Sequence, residues 1–162
     1  MTLFALFKLL HVLSAMWLVS GLLGRAVALS AARRAPDMPI LKAIADVSGR
    51  LENLMIAPGI FAVLGTGIVT AIAGGISLFG PFSGGPLWIF IPVVIVLAAI
   101  VATPITLGHD REWGRALEDA ARQNVVTDRL QAFLEGRAML RRYTPDIGFV
   151  AFIVVLMVLK PF

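Results

Sequence analysis

Four long apolar segments alternate with charged segments along the chain. The apolar segments are residues 3–29, 55–73, 87–107 and 147–159. All acidic residues fall in two other segments, residues 30–54 and 108–146. A helix of roughly 20 apolar residues crosses the ~30 Å hydrocarbon core of a bilayer. The pattern therefore predicts an all-α integral membrane bundle of four transmembrane helices with helical cytoplasmic extensions, forming a single domain over residues 1–162.

Basic residues indicate the orientation of this bundle. Arg25, Arg33 and Arg34 close the first apolar segment. Because basic residues gather on the cytoplasmic side of a membrane, this end is expected inside and the N-terminus outside. Four crossings then place the C-terminus outside as well. We expect a multi-pass protein of a bacterial-type inner membrane.

Composition narrows the classes of function. The chain is 59% hydrophobic and 15% charged, which excludes an ordinary soluble domain, and it has no Cys for a disulfide, a thiolate metal site or a nucleophile. The net charge of +4 is accompanied by no nucleic-acid motif. The expected partners are membrane lipid and either other membrane subunits or further copies of the chain, with no nucleic acid.

The first apolar segment carries its polar residues on one helical face. That face comprises His11, Ser14, Leu18, Gly21 and Arg25. An ionisable group turned towards lipid costs a few kcal/mol, so the face is expected to look inward. For the imidazole two interpretations stay open: a hydrogen-bonded packing residue or an axial ligand of haem.

The segment between the first and second apolar spans also carries recognisable helix signals. Asp37 is expected to cap a helix that runs into the second span, with Pro36 and Pro39 as helix breakers. This helix is predicted to be amphipathic, with an apolar face made of Ile40, Ile44, Val47, Leu51 and Leu54. A kink is expected at Pro58-Gly59. A close helix contact is expected at the small residues Gly67, Ala71 and Gly75.

The two histidines are not expected to share one haem. His11 lies near the outer end of its span and His109 at the inner end of the third, which separates them by roughly 20 Å. The sequence places no carboxylate at membrane depth, which disfavours an ion-coupled transporter. His109, beside Asp110 and Arg111, is expected at the membrane interface.

Short motifs spread over nearly the whole chain resemble the HemJ-type protoporphyrinogen oxidases. They are Lys8-Leu9-Leu10-His11 with Trp17, Gly21 and Arg25; Arg50-Leu51-Glu52-Asn53-Leu54 with Pro58-Gly59; Gly85, Leu87 and Ile89; and Pro145 with Leu159-Lys160-Pro161-Phe162. The chain is also similar to a related family of small integral membrane proteins of unknown function with a His-bearing first helix.

The HemJ resemblance implies a membrane bundle that holds haem b or porphyrin, with His11 as an axial ligand of the iron. In that family a lysine completes the ligand pair, but this chain has Phe90 at the corresponding position. It also has Trp88 where a histidine is usual in the family. HemJ-type oxidase activity is therefore not expected, and no catalytic residue is assigned. Arg25 and Arg50 are candidates either for the haem propionates or for a cytoplasmic ion-pair network. The alternative is a non-catalytic structural or assembly subunit whose vacated pocket Trp88 and Phe90 fill.

Overall fold

Helices make up the fold throughout the part of the chain that the structure, a computed structural model, describes: residues 2–78, 86–135, 148 and 150–159. In chain order they are α1 (Leu3–Ala32), α2 (Met38–Leu51), a π-helix (Glu52–Ile56), α3 (Ala57–Ala73), α4 (Leu87–Gln123), α5 (Asp128–Glu135) and α6 (Val150–Leu159). No β-strand occurs in these ranges. The all-α class is confirmed.

Within the described residues, two helical stretches are long and apolar enough to cross a membrane. They are α1, with 30 residues, and the continuous stretch Met38–Ala73, with 36 residues, and only a small share of either is buried inside the protein. The predicted third span lies within the 37-residue helix α4, and the predicted fourth span overlaps α6, Val150–Leu159. Four crossings and outward-facing termini therefore stay predictions. Gly85, Pro145 and the closing Lys160-Pro161-Phe162 motif lie outside the described residues.

The connection between α1 and α2 follows the predicted capping signal. Asp37 is extended, and its side chain accepts a hydrogen bond from the backbone N–H of Ile40 at 2.9 Å. This confirms the predicted cap. Pro39 does not break the helix, because it lies in the first turn, where the missing N–H has no intrahelical partner to lose.

A cluster of buried side chains lies where α1 ends and α2 begins. It comprises Ala32, Met38, Leu41, Ala116, Ala120 and Leu130. The cluster thus joins α1 and α2 to the second half of α4 and to α5. Leu41 and Leu130 are its largest fully buried side chains. Helix α4, at 37 residues and about 55 Å, is long enough to reach this cluster from an opposite membrane face.

The buried face of α2 differs from the predicted one. Met38, Leu41, Ala45 and Ser48 are buried. Ile40, Val47 and Leu54, from the apolar repeat, are exposed instead. Small side chains at Ala45 and Ser48 allow neighbouring helices to come close, which favours this face although it is less apolar. Helix α2 is amphipathic, and its predicted apolar repeat is confirmed in part: Ile44 packs against the buried cluster and Leu51 lies against Gly24 of α1.

Instead of a simple kink at Pro58-Gly59, the structure has a π-helix, Glu52–Ile56, directly before Ala57 and Pro58. The backbone N–H of Ala57 bonds to the carbonyl of Glu52, five residues back. Pro58 has no N–H, and in a regular α-helix its ring would clash with the carbonyl of Leu54. The wider π turn accommodates this proline without ending the helix, so Met38–Ala73 stays continuous.

Truncation of Leu130 tests the importance of the buried cluster. Leu130→Ala removes a fully buried side chain and is expected to cost about 2–5 kcal/mol of unfolding free energy. Val125→Ala is the control, because Val125 is 59% exposed in the turn before α5. Thermal unfolding of each variant in mild detergent measures the difference. Equal losses in both would contradict this assignment of the core.

Candidate functional site

Helices α1 and α3 pack antiparallel along a seam of glycines. Residues seven apart on α1 each face a glycine of α3, in the pairs Phe4–Gly74, His11–Gly67 and Leu18–Gly59. A Cβ at Gly67 would lie 2.9 Å from Cε1 of His11, and one at Gly74 would lie 2.9 Å from Cε2 of Phe4. Without glycine the helices would have to separate.

The predicted contact face of Gly67, Ala71 and Gly75 is confirmed at its first two residues and wrong at Gly75. Gly67 contacts His11 and Ala71 is buried, as expected. Gly75, however, lies past the end of α3 with a φ of 67°, and a Cβ there would meet nothing within 4 Å. Gly74 takes its place in the seam, while Gly75 supplies the left-handed turn that ends the helix.

His11 faces α3 and bonds to its backbone. Its Nδ1 lies 3.0 Å from the carbonyl oxygen of Val63 and 3.3 Å from Oγ1 of Thr66. A carbonyl oxygen only accepts hydrogen bonds, so Nδ1 must carry the proton and donate it. The inward orientation predicted for this face of α1 is confirmed, since Leu13 and Met16 on the other side are exposed.

The Thr66 hydroxyl fits this assignment. It donates to the carbonyl oxygen of Ala62 in its own helix at 2.6 Å, which leaves its lone pairs to accept from Nδ1 of His11. One turn further, the hydroxyl of Thr70 donates in the same way to the carbonyl of Thr66. Backbone and hydroxyl together hold the imidazole in one tautomer and one orientation.

This tautomer leaves the other ring nitrogen with a free lone pair. Among the described residues, Nε2 of His11 has no hydrogen-bond partner. A histidine that ligates a metal usually donates its second ring nitrogen to a carbonyl or carboxylate, which fixes the ring and increases ligand basicity. The Val63 carbonyl is in that position here. Within the described ranges, no group of His, Cys, Asp and Glu is arranged to hold a metal ion on its own.

The two arginines proposed for the site lie away from His11. Arg25 is four helical turns further along α1, about 21 Å away, and forms an ion pair with Glu52 at the start of the π-helix. Arg50 is exposed in the last turn of α2. The structure thus places Arg25 in an ion pair at the junction of α2 and the π-helix. A propionate role for either arginine stays a prediction.

The remaining candidates are less informative. Ser14 donates to the carbonyl of Leu10 within α1, at 2.8 Å. Trp88 and Phe90 are half-buried in the first turn of α4. His109 belongs to α4, but its side chain lies outside the described residues.

Sequence reasoning missed two partners of His11. The Val63 partner is a backbone carbonyl, which leaves no trace in side-chain type. Thr66 carries a visible signal, because it is a hydroxyl residue directly before the seam glycine Gly67 and only Thr70 shares this side-chain type in the span.

These observations define an all-helical membrane protein with one inward-facing histidine in its first helix. A family model described as "Predicted integral membrane protein (DUF2269)" matches residues 5–161, nearly the whole chain. The chain belongs to this family of membrane proteins, whose function is unknown. A search of curated proteins and a search of solved structures each found no match. The family match agrees with the second of the two sequence resemblances, and the HemJ relationship stays a prediction.

Two glycines of α3 provide a matched test of the seam. Gly67→Ala places a Cβ 2.9 Å from the His11 ring and is expected to destabilise the protein by about 1–3 kcal/mol through overpacking. Gly65→Ala, on the open side of the same helix, meets nothing within 4 Å and should be neutral or stabilising. Thermal unfolding in detergent compares them. A more stable Gly67→Ala protein would refute the close approach.

Proposed function

We propose that the protein binds haem b, or a related metalloporphyrin, with Nε2 of His11 as an axial ligand of the metal, and that it lacks HemJ-type oxidase activity. The supporting observation is the 3.0 Å hydrogen bond from Nδ1 of His11 to the Val63 carbonyl. This bond presents Nε2 as a lone-pair donor in the orientation that haem-ligating histidines use.

The surroundings of His11 fit a bound macrocycle in two respects. The ring is half-buried in a largely apolar span, and an apolar setting suits a porphyrin. Gly67 lets the imidazole lie directly on α3, so the ring has little freedom to rotate. When bound, the iron would supply one-electron chemistry, while the chain's role is to hold and orient the group.

We do not propose oxidase activity, because the chain lacks the residue that provides the second axial ligand in HemJ-type proteins. Phe90 stands where the HemJ pattern has its lysine and cannot donate to iron. Met157 on α6, half-buried, is a weaker candidate for this position. A five-coordinate haem on His11 is the simpler expectation.

A structural role is the second candidate. The contacts of His11 with Val63, Thr66 and Gly67 already satisfy Nδ1 and join α1 to α3 without any cofactor. Half-buried Trp88 and Phe90 would then fill the pocket that HemJ-type proteins keep for haem. In this case the protein is a non-catalytic subunit of a larger membrane complex.

An absorption spectrum separates these candidates. Protein expressed with a haem precursor and purified in mild detergent is expected to show a Soret band that His11→Ala abolishes. Ser14→Ala should keep the band, because this hydroxyl bonds only within α1. Adding free imidazole to the His11→Ala protein should restore the band if the variant is folded, since imidazole replaces the missing ligand.

A colourless wild-type protein, expressed with haem available, would refute haem binding. Stoichiometric partners recovered from native membranes in that case would support the subunit candidate. A Soret band that persists in His11→Ala, without added imidazole, would place the ligand elsewhere.

The proposed membrane topology has four spans in a bacterial-type inner membrane, with both termini outside. Supporting it, Arg33, Arg34, Lys42 and Arg50 gather where α1 ends and along α2. This basic cluster is expected in the cytoplasm.

The absence of Cys makes this topology measurable. Thr2→Cys and a cysteine appended after Phe162 should react with a membrane-impermeant maleimide in bacterial cells permeabilised only at the outer membrane. Lys42→Cys should react only after lysis of the inner membrane. Labelling of Thr2→Cys without labelling of the appended cysteine would show an odd number of crossings and refute four spans.

A further inference from the structure

The imidazole of His11 has two acceptors for its Nδ1 proton on α3. The carbonyl oxygen of Val63 lies 3.0 Å from Nδ1, and Oγ1 of Thr66 lies 3.3 Å from it. The two oxygens are 3.3 Å apart, so a single N–H can point between them and bond to both. Of these two acceptors, only the hydroxyl of Thr66 belongs to a side chain, and it can be removed while the backbone of α3 stays the same.

The hydroxyl of Thr66 is a better acceptor than an isolated hydroxyl. Its oxygen is 2.6 Å from the carbonyl oxygen of Ala62 and 3.3 Å from that of Val63, so its proton goes to the closer one, Ala62. A hydroxyl that donates a hydrogen bond becomes more negative at its oxygen and accepts more strongly. His11, Thr66 and Ala62 thus form a short chain of hydrogen bonds that runs from α1 into α3.

The contact of Thr66 with His11 is separate from the bond that Thr66 makes within its own helix. Thr70, one turn further along α3, donates in the same way to the carbonyl four residues back, at 2.7 Å. Nδ1 of His11 bonds to Val63 and Thr66, whereas Thr70 is one turn away from it. A threonine of α3 therefore satisfies its hydroxyl without the histidine, and the bond from His11 is an addition that the helix itself does not need.

Thr66 also restricts the orientation of the ring. A Cβ at Gly67 would lie 2.9 Å from Cε1 of His11, so the backbone of α3 closes one side of the imidazole. Rotation of the ring about its Cβ–Cγ bond would lengthen the hydrogen bond to at least one of the two oxygens. Nε2 therefore keeps one direction, which is what a metal ligand requires.

We propose that Thr66 is a positioning residue for a metal bound at Nε2 of His11, and that its hydroxyl increases the electron donation of the imidazole to that metal. This inference rests on the haem binding proposed above. Each oxygen that accepts the Nδ1 proton gives the ring more negative charge, which makes Nε2 a stronger ligand. A more strongly donating ligand stabilises ferric relative to ferrous iron, so Thr66 lowers the reduction potential of the bound haem.

Thr66→Val tests this role, because valine keeps the branched shape and removes the acceptor. In the haem-loaded variant the reduction potential is expected to rise, and the iron–histidine stretching frequency of the ferrous state is expected to fall. Haem affinity should decrease by about tenfold, at the low end of such changes, because the Val63 carbonyl remains as an acceptor. Redox titration, resonance Raman spectroscopy and haem titration in mild detergent measure these three effects.

Thr66→Ser and Thr70→Val are the matched controls. Serine restores a hydroxyl at the same position and should return the potential and the vibration to their wild-type values. Thr70→Val removes the neighbouring hydroxyl of α3 and should change neither quantity. Both valine variants lose one bond to a carbonyl of their own helix, so a general weakening of α3 would affect them equally.

The outcomes separate this inference from haem binding itself. A wild-type protein without a Soret band, expressed with haem available, would overturn both. A coloured wild type whose potential and iron–histidine vibration are unchanged in Thr66→Val would overturn the role of Thr66 alone. Equal shifts in Thr66→Val and Thr70→Val would overturn it as well. If Thr66→Val does not fold, Thr66→Ala takes its place and must show the same shifts.

Discussion

The close approach of α1 to α3 is the contact on which the rest of the structure depends. Two helices in lipid gain little from burying apolar side chains, because the surrounding tails are equally apolar. Their association depends instead on surfaces that fit and on hydrogen bonds between them. Glycines at 59, 67 and 74 supply the fit, and His11 supplies the hydrogen bond to Val63. Beyond the glycines, Arg25 and Glu52 continue the same seam as an ion pair.

Sequence reasoning succeeds where the physical cause is local or unambiguous. The inward direction of His11 follows from the 3.6-residue period and from the cost of turning an ionisable group towards lipid. The cap at Asp37 follows from a carboxylate placed directly before a helix. The membrane class follows from long apolar segments in a chain with few charges, and the family match supports it.

The remaining features depend on contacts between distant residues. The buried face of α2 is determined by its contacts with α4 and α5. Their residues Ala116, Ala120 and Leu130 lie far along the chain from α2. Apolarity alone favours a face that includes Ile40 and Val47, which are exposed, so the apolar period predicts the packed face of α2 only in part. Similarly, Gly74 and Gly75 look alike in the sequence, and only the end of α3 decides which of them touches α1. The Val63 carbonyl is a backbone group and cannot be recognised from residue type.

The π-helix before Pro58 has a consequence for how the chain tolerates changes in length. One residue added or removed in a helix rotates everything on one side of it by about 100° relative to the other side. Between Glu52 and Ile56 such a rotation would turn Met38 and Leu41 away from α4 and α5 while Gly59 and Gly67 stayed against α1. These five residues therefore fix how far α2 is rotated relative to α3 about the helix axis that the two share. Insertions and deletions in this segment are therefore costly, over and above the loss of its own contacts, which include the ion pair of Glu52 with Arg25 and the buried side chain of Ile56.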